Sequence, residues 1–243
     1  MTTIKKIIRP LSAAIFIASL FSCNNDTGST KEGPQKVEDT LKTTTAEKPA
    51  AFTPFDVMEI SHTVKDYAKW RPFFDTDSVN RKANGLETIV VGRGADNANK
   101  IMIALEVKDM QKAKDFSANP KLKEVMDKAG VVSKPDVEYF HVIRYNPESK
   151  EKQWVIISHK VKDFNAWLKI FDNEGPAARA SQGLYDVVLS RGVNDSNMVH
   201  IVLDIKDMAK AKASLGSEEK KKLMMSAGVE GTPKIEFYQT ADK

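Results

Sequence analysis

The sequence contains the same unit twice, and this repeat limits the folds that the chain can adopt. Residues 57–145 and 154–241 match at an interval of 97 residues, which becomes 98 after a one-residue insertion. The matching segments include Ile60-Ser61-His62 with Ile157-Ser158-His159, Arg93-Gly94 with Arg191-Gly192, and Ala129-Gly130-Val131 with Ala227-Gly228-Val229. A unit of this length is too long for a solenoid repeat, so each copy is predicted to be a small domain.

The N-terminus has the features of a targeting segment. Lys5, Lys6 and Arg9 precede or flank an apolar stretch over residues 11–21, which is too short to span a bilayer. The stretch ends in Leu20-Phe21-Ser22-Cys23, which resembles the bacterial lipobox. The resemblance implies a lipoprotein signal peptide over residues 1–22, cleavage before Cys23 and lipidation of that cysteine. The alternative is an ordinary secretory signal that contains a cysteine by chance.

Lipidation of Cys23 implies both a partner and a location. Each buried CH₂ of an acyl chain contributes about 0.8 kcal/mol, so a multiply acylated cysteine holds a protein stably to membrane lipid. We therefore expect a lipid-anchored protein of the bacterial cell envelope, at the outer membrane. Cys23 is the only cysteine, and its lipidation leaves no thiol for a disulfide, a metal or a nucleophile.

Residues 23–53 contain few large apolar side chains and are rich in Thr, Lys, Glu, Ser, Pro and Gly. Such a segment cannot bury enough surface to offset its ordering entropy, which predicts a flexible tether. Two domains are then predicted, at residues 54–147 and 152–243. The chain has a net charge of +4, which falls to about +1 without the three basic residues of the signal. This balance argues against a nucleic-acid-binding protein.

Both copies show the same order of predicted elements. The first copy has four predicted strands, at residues 57–64, 86–93, 100–107 and 137–143. Asp66 and Asp109 are predicted N-caps of two helices, and Pro72 is expected to kink the first of them. The second copy repeats this arrangement. The order β-α-β-β-α-β is that of ferredoxin-like α+β domains.

With this order of elements in both copies, the sequence resembles the dimeric α+β barrel superfamily. The resemblance covers both copies and depends on the element order and two motifs. The motifs are His-x-Val-Lys-Asp-aromatic-x-x-Trp, from His62 to Trp70, and Ala129-Gly130-Val131 ahead of Pro135. Members include antibiotic-biosynthesis monooxygenases, polyketide cyclases and haem-degrading or haem-binding proteins, and they usually dimerise. The resemblance implies an intrachain pseudo-dimer, with ligand cavities between sheet and helices or toward the barrel interior.

Three side chains in each copy are candidates for binding a ligand. They are His62, Trp70, Arg81, His159, Trp167 and Arg179. A histidine beside an indole can bind a planar aromatic molecule, act as a base or ligate haem iron. The alternative is structural: each histidine holds the strand-to-helix turn through hydrogen bonds, each tryptophan belongs to the core, and each arginine stabilises a helix C-terminus.

A further pair of side chains occurs only in the second copy. His200 and Asp204 share one face of the strand 198–205, with Val202 between them, whereas the first copy has Met102 and Glu106 there. A site on this face would therefore belong to the second copy alone. The four histidines lack zinc-ligand spacing, and no metal or cofactor is expected.

These features favour a membrane-anchored module that binds a small molecule or serves a stress-related role, since no catalytic motif is evident. A cofactor-independent monooxygenase or cyclase acting on an aromatic or polyketide-like molecule is the alternative, as is a haem-binding protein. Cavity size distinguishes these hypotheses. A cavity above about 300 Å³ that touches His62 or His159 would favour ligand chemistry, and a filled core would favour a structural role.

The lipobox resemblance can be tested with a Cys23→Ala variant expressed in a bacterial host. Without the thiol no acyl chain can be attached, so the protein should accumulate as uncleaved precursor or leave the membrane fraction. Fractionation followed by mass spectrometry of the N-terminus measures both outcomes. Normal cleavage and membrane retention of the variant would contradict the assignment.

Overall fold

The computed structural model of the chain describes residues 52–149 and 151–241. The predicted signal peptide 1–22, Cys23 and the predicted tether up to residue 51 lie outside the described residues. Within the described part, every helix falls short of the length and apolarity that crossing a bilayer requires.

Eight antiparallel strands form one closed barrel in the described part of the chain. The strands are β1 (Phe55–Thr63), β2 (Leu86–Gly94), β3 (Lys100–Val107), β4 (Asp136–Tyr145), β5 (Gln153–Val161), β6 (Leu184–Gly192), β7 (Met198–Ile205) and β8 (Val229–Thr240). Their order around the barrel is β1-β3-β2-β8-β5-β7-β6-β4, and β4 pairs with β1 to close it. We call β1–β4 with their helices the N-terminal half, and β5–β8 with theirs the C-terminal half.

Seven helices connect these strands. They are α1 (Tyr67–Thr76), α2 (Ser78–Ala83), α3 (Met110–Ala118), α4 (Pro120–Lys128), α5 (Phe164–Ser181), α6 (Met208–Leu215) and α7 (Glu218–Ser226). The predicted N-caps are confirmed: the Asp66 and Asp109 carboxylates accept hydrogen bonds from the backbone amides of Lys69 and Lys112. Pro72, where a kink is predicted, lies inside α1, and the helix continues through the proline to Thr76.

Alternation along the strands gives the barrel two different faces. On β1, Met58, Ile60 and His62 lie toward the helices, and the alternate residues Val57 and Glu59 lie toward the barrel interior. Each half therefore has an apolar core between its helices and the outer face of its strands. A smaller apolar cluster fills part of the interior and consists of Met102, Trp154, Ile156 and Tyr238.

The two halves are hydrogen-bonded at two seams. At the first seam, β2 pairs with β8 over only three positions, from Gly92 to Gly94. At the second, β4 pairs with β6 over five positions, with a bulge between Val142 and Arg144. Close packing supports the short seam: a Cβ atom added to Gly92 would lie 2.6 Å from a ring carbon of Trp154. Glycine at this position lets a strand of the N-terminal half approach an indole of the C-terminal half.

We expect Gly92→Ala to lower the free energy of unfolding by roughly 1–3 kcal/mol, as overpacking in a filled core does. Replacing Trp154 by Phe removes the ring carbon that the new methyl group would meet. The cost of Gly92→Ala should therefore be smaller in a Trp154→Phe background. Urea denaturation of the wild type, both single variants and the double variant measures this coupling, and strictly additive costs would contradict it.

Candidate functional site

Each half contains a small cavity between its helices and its strands, and all six predicted site residues lie at these two cavities. His62, Trp70 and Arg81 line the cavity of the N-terminal half. The equivalent residues His159, Trp167 and Arg179 line the cavity of the C-terminal half. Each cavity has a volume of about 50 Å³. We refer to them as the helix-side cavities.

The two histidines lie in closely matched surroundings. His62 and His159 are 4% and 5% exposed, and their rings meet the indoles of Trp70 and Trp167 edge-on at 5.6 and 5.7 Å between centroids. Neither ring nitrogen of either histidine has a hydrogen-bond partner in the described structure. The prediction that they hold the strand-to-helix turn through hydrogen bonds is therefore wrong.

Burial also sets the protonation state of these histidines. It lowers the pKa of both His62 and His159 from 6.5 to about 4, because the imidazolium form loses its hydration. Both rings are therefore neutral at neutral pH. A neutral ring can donate one hydrogen bond, accept another or take up a proton, but it cannot attract an anion by charge.

The two arginines are bound to the protein itself. Arg81 donates from Nη1 to the carbonyl oxygen of Phe74 at 2.7 Å, and Arg179 donates to that of Phe171 at 2.9 Å. Each guanidinium also lies over the ring of the same phenylalanine, at 3.7 and 3.8 Å. Arg179 forms two further bonds of 2.6 Å with the Asp186 carboxylate. These contacts fit the structural alternative, in which each arginine stabilises a helix end: Arg81 bonds a carbonyl near the end of α1, and Arg179 bonds one in the part of α5 that precedes its kink at Gly175.

The size of the helix-side cavities limits what they can hold. Pockets for drug-sized ligands have volumes of about 300–1,000 Å³, far above the value of about 50 Å³ found here. An aromatic molecule would enter only if the helices moved away from the sheet. A haem, which is larger still, does not fit beside His62 or His159 in this packing.

A third and larger cavity lies inside the barrel. It has a volume of about 290 Å³, and strands of both halves contribute to its wall. The lining is mostly apolar and includes four aromatic side chains, which are Phe55, Phe140, Tyr145 and Trp154. We call this space the barrel cavity.

His200 is a buried side chain that faces the barrel cavity, and its contacts join the two halves. Its Nε2 lies 3.3 Å from the Glu59 carboxylate of the N-terminal half, and its Nδ1 lies 3.0 Å from the Ser158 hydroxyl. The ring stacks on Phe140 with 4.1 Å between centroids. Sequence reasoning identified His200 but missed Glu59. The available signal was a carboxylate alternating with apolar residues on β1.

Asp204 also lines the barrel cavity, with Val202 between it and His200, as predicted from the strand alternation. Its carboxylate accepts a hydrogen bond of 2.7 Å from the Ser149 hydroxyl. Burial raises the pKa of Asp204 above its usual range, because the ionised form loses hydration. Residues 52–149 and 151–241 bring no three His, Cys, Asp or Glu side chains together in a way that would hold a metal ion.

No family model and no curated protein matches the sequence of this chain. Solved structures share its fold. A proposed monooxygenase from Lactobacillus acidophilus aligns with a TM-score of 0.50 and 11% identity, over 78% of this chain and 94% of its own. Another from Fusobacterium nucleatum subsp. nucleatum gives 0.50 and 14%, over 77% and 93%. An anthrone oxidase-like protein gives 0.52 and 14%, over 77% and 92%.

These neighbours share the arrangement of strands and helices seen in this chain. The chain therefore has an α+β fold of this kind, as its sequence predicted. At identities of 11–14% the likeness extends to the fold and not to the chemistry.

The buried histidines predict an acid-dependent loss of stability. Between pH 6.5 and about 4 the unfolded chain binds protons at His62 and His159 while the folded chain leaves them neutral. The free energy of unfolding should therefore fall with decreasing pH in this window, by about 1.4 kcal/mol per pH unit for each histidine at most. The double variant His62→Gln and His159→Gln should show a correspondingly smaller slope in denaturant titrations.

A matched control for that experiment is Trp70→Phe. This substitution disturbs the same cavity without removing a titrating group, so it should lower stability and leave the pH slope as in the wild type. An unchanged slope in the double histidine variant would show that neither ring is held neutral by burial.

Proposed function

We propose that the protein binds a small, largely apolar molecule inside the barrel. The barrel cavity carries this proposal, because its volume of about 290 Å³ is several times that of either helix-side cavity. Ligand sites are typically concave, mostly apolar and fitted with a few fixed polar groups. The barrel cavity has this composition, with aromatic walls and with His200, Glu59 and Asp204 at defined points.

The dimensions suggest the size of the ligand. An engineered apolar cavity of about 150 Å³ binds benzene, so a cavity of roughly twice that volume suits a body of about two fused rings. Strands of the closed sheet hold the wall residues, which favours a preformed site over one assembled by loops. An aromatic or other compact ring system is thus the ligand class that we favour.

We also propose how the chain is organised and where it is held. The repeated sequence unit, the matched histidine–tryptophan pairs and the two seams support an intrachain pseudo-dimer, in which domains 54–147 and 152–243 take the place of two subunits. The lipobox-like sequence supports anchoring of the barrel to the bacterial cell envelope through acylated Cys23. A ligand site on a tethered barrel suits the capture of apolar molecules near a membrane.

A cofactor-independent monooxygenase acting on an aromatic molecule is the second candidate function. Two of the fold neighbours are named as monooxygenases, and a third is named as anthrone oxidase-like. The observation in this chain that favours catalysis is the pair of neutral, unpartnered histidines beside Trp70 and Trp167. A neutral imidazole in an apolar cavity can act as a base, but a substrate would have to displace the helices to reach it.

Binding inside the barrel can be tested with cavity-filling variants. Ala104 lines the barrel cavity opposite Glu59, whereas Ala129 and Ala227 line the two helix-side cavities. We expect Ala104→Leu to weaken the binding of 2-naphthylmethanol about tenfold or more, because the added side chain occupies ligand space. Isothermal titration calorimetry gives the affinity, and thermal melting confirms that each variant is folded.

The matched controls are Ala129→Leu and Ala227→Leu, which should leave the affinity for 2-naphthylmethanol close to that of the wild type. Loss of binding in these variants but not in Ala104→Leu would place the ligand on the helix side. Native mass spectrometry of the purified wild type adds an independent measurement. If it detects no co-purified small molecule and the calorimetry detects no binding, the binding function is refuted.

A further inference from the structure

A buried carboxylate that forms no ion pair faces the barrel cavity. Asp204 is only 6% exposed, and its carboxylate accepts hydrogen bonds from two neutral groups, the Ser149 hydroxyl at 2.7 Å and the backbone amide of Glu151. Within the described residues Asp204 takes part in no ion pair. Lys206, two positions further on, acts on Asp204 electrostatically, but its ion pair is with Glu151, at 3.9 Å. Buried carboxylates are usually paired with a cation or bound to a metal, because burial removes their hydration.

An aromatic ring lies beside this carboxylate. Trp154 on β5 is directly opposite Asp204 on β7 in the antiparallel register, and both side chains line the barrel cavity. Directly opposite residues have Cβ atoms about 4.5–5.5 Å apart. The face of an indole attracts a cation within about 6 Å of its centroid. An ammonium group at this end of the cavity could contact the carboxylate and the indole at once.

The other side chains of the wall that can carry a charge near neutral pH, apart from His200, are also carboxylates. Glu59, Glu151 and Asp204 line the barrel cavity, and its described lining includes no lysine or arginine. Glu59 already has His200 within 3.3 Å, and Glu151 lies near Lys206. Asp204 is thus the wall carboxylate whose charge is left uncompensated by an ion pair. An anionic ligand would meet repulsion here and find no basic side chain to bind it.

We infer that the ligand of the barrel cavity is an amine with a compact apolar body, and that Asp204 binds its ammonium group beside the indole of Trp154. This inference rests on the proposed binding function and specifies the chemical class of the ligand. The apolar body lies along the wall between Asp204 and His200. These residues are four positions apart on one strand, a span of about 13 Å. That span accommodates two fused rings with a short alkyl-amine arm.

Three probes with the same body test the inference: 2-naphthylmethylamine, 2-naphthylmethanol and 2-naphthoate, titrated calorimetrically into the wild-type protein near neutral pH. The protonated amine should bind about tenfold or more tightly than the alcohol, the factor typical of a hydrogen bond to a buried charge. The carboxylate should bind more weakly than the alcohol, because it faces the carboxylates of the wall.

Two variants test the role of Asp204. Asp204→Asn keeps the shape but removes the charge, so the ratio of amine affinity to alcohol affinity should fall about tenfold. Asp195→Asn removes the same charge from an exposed turn, where Asp195 pairs with Lys160, and should leave that ratio as in the wild type. An Asp204→Asn ratio equal to that of the wild type would overturn the inference even if the amine binds.

The outcomes separate this inference from the function on which it rests. If none of the three probes binds, the proposed binding function fails and the inference fails with it. If the alcohol or the carboxylate binds as tightly as the amine, the binding function stands and the amine inference is wrong. A preference for the amine that depends on Asp204 supports both.

Discussion

Closure of a single sheet across two short seams is the constraint on which the rest of the structure depends. Without the pairing of β2 with β8 and of β4 with β6, each half would expose two strand edges and one apolar sheet face. Closure pairs the backbone hydrogen-bonding groups of these edge strands and at the same time encloses the barrel interior. The close approach of Gly92 to Trp154 shows that side-chain packing inside the barrel supports the shorter seam.

The same closure explains why the two kinds of cavity differ. Outside the barrel, the helices of each half pack on its strands through apolar side chains that are close in the sequence. This packing leaves only about 50 Å³ beside His62 and beside His159. Inside the barrel, the available volume depends on eight strands and on the tilt and register of the whole sheet. The small side chain of Ala104 on β3 helps to keep that volume open.

Local chemistry made much of the fold predictable from the sequence. Aspartates at helix N-caps and the alternation of apolar residues placed the strands, the helices and their order correctly. In the second copy the sequence predicts the last strand at residues 235–240, whereas β8 begins at Val229. Residues 229–234 lack apolar alternation, and they extend β8 by pairing across a bulge in β5. The six predicted site residues do come together, three in each helix-side cavity. The barrel cavity, the contact of Glu59 with His200 and the pairing of Asp204 with Trp154 depend instead on strand order and register. The strand order of the closed barrel and the register between its halves cannot be predicted from a single copy of the repeat.

Joining both halves in one chain has a consequence for symmetry. A barrel built from two identical subunits must present every wall residue twice, so a single ligand inside it meets equivalent ends. Here Trp154 and His200 occupy the places that correspond to Val57 and Met102 in the other half, and all four line the cavity. The two ends of the barrel cavity are therefore chemically different. A ligand would bind with one molecule per chain and in one direction, and each half is free to acquire substitutions that its counterpart does not share.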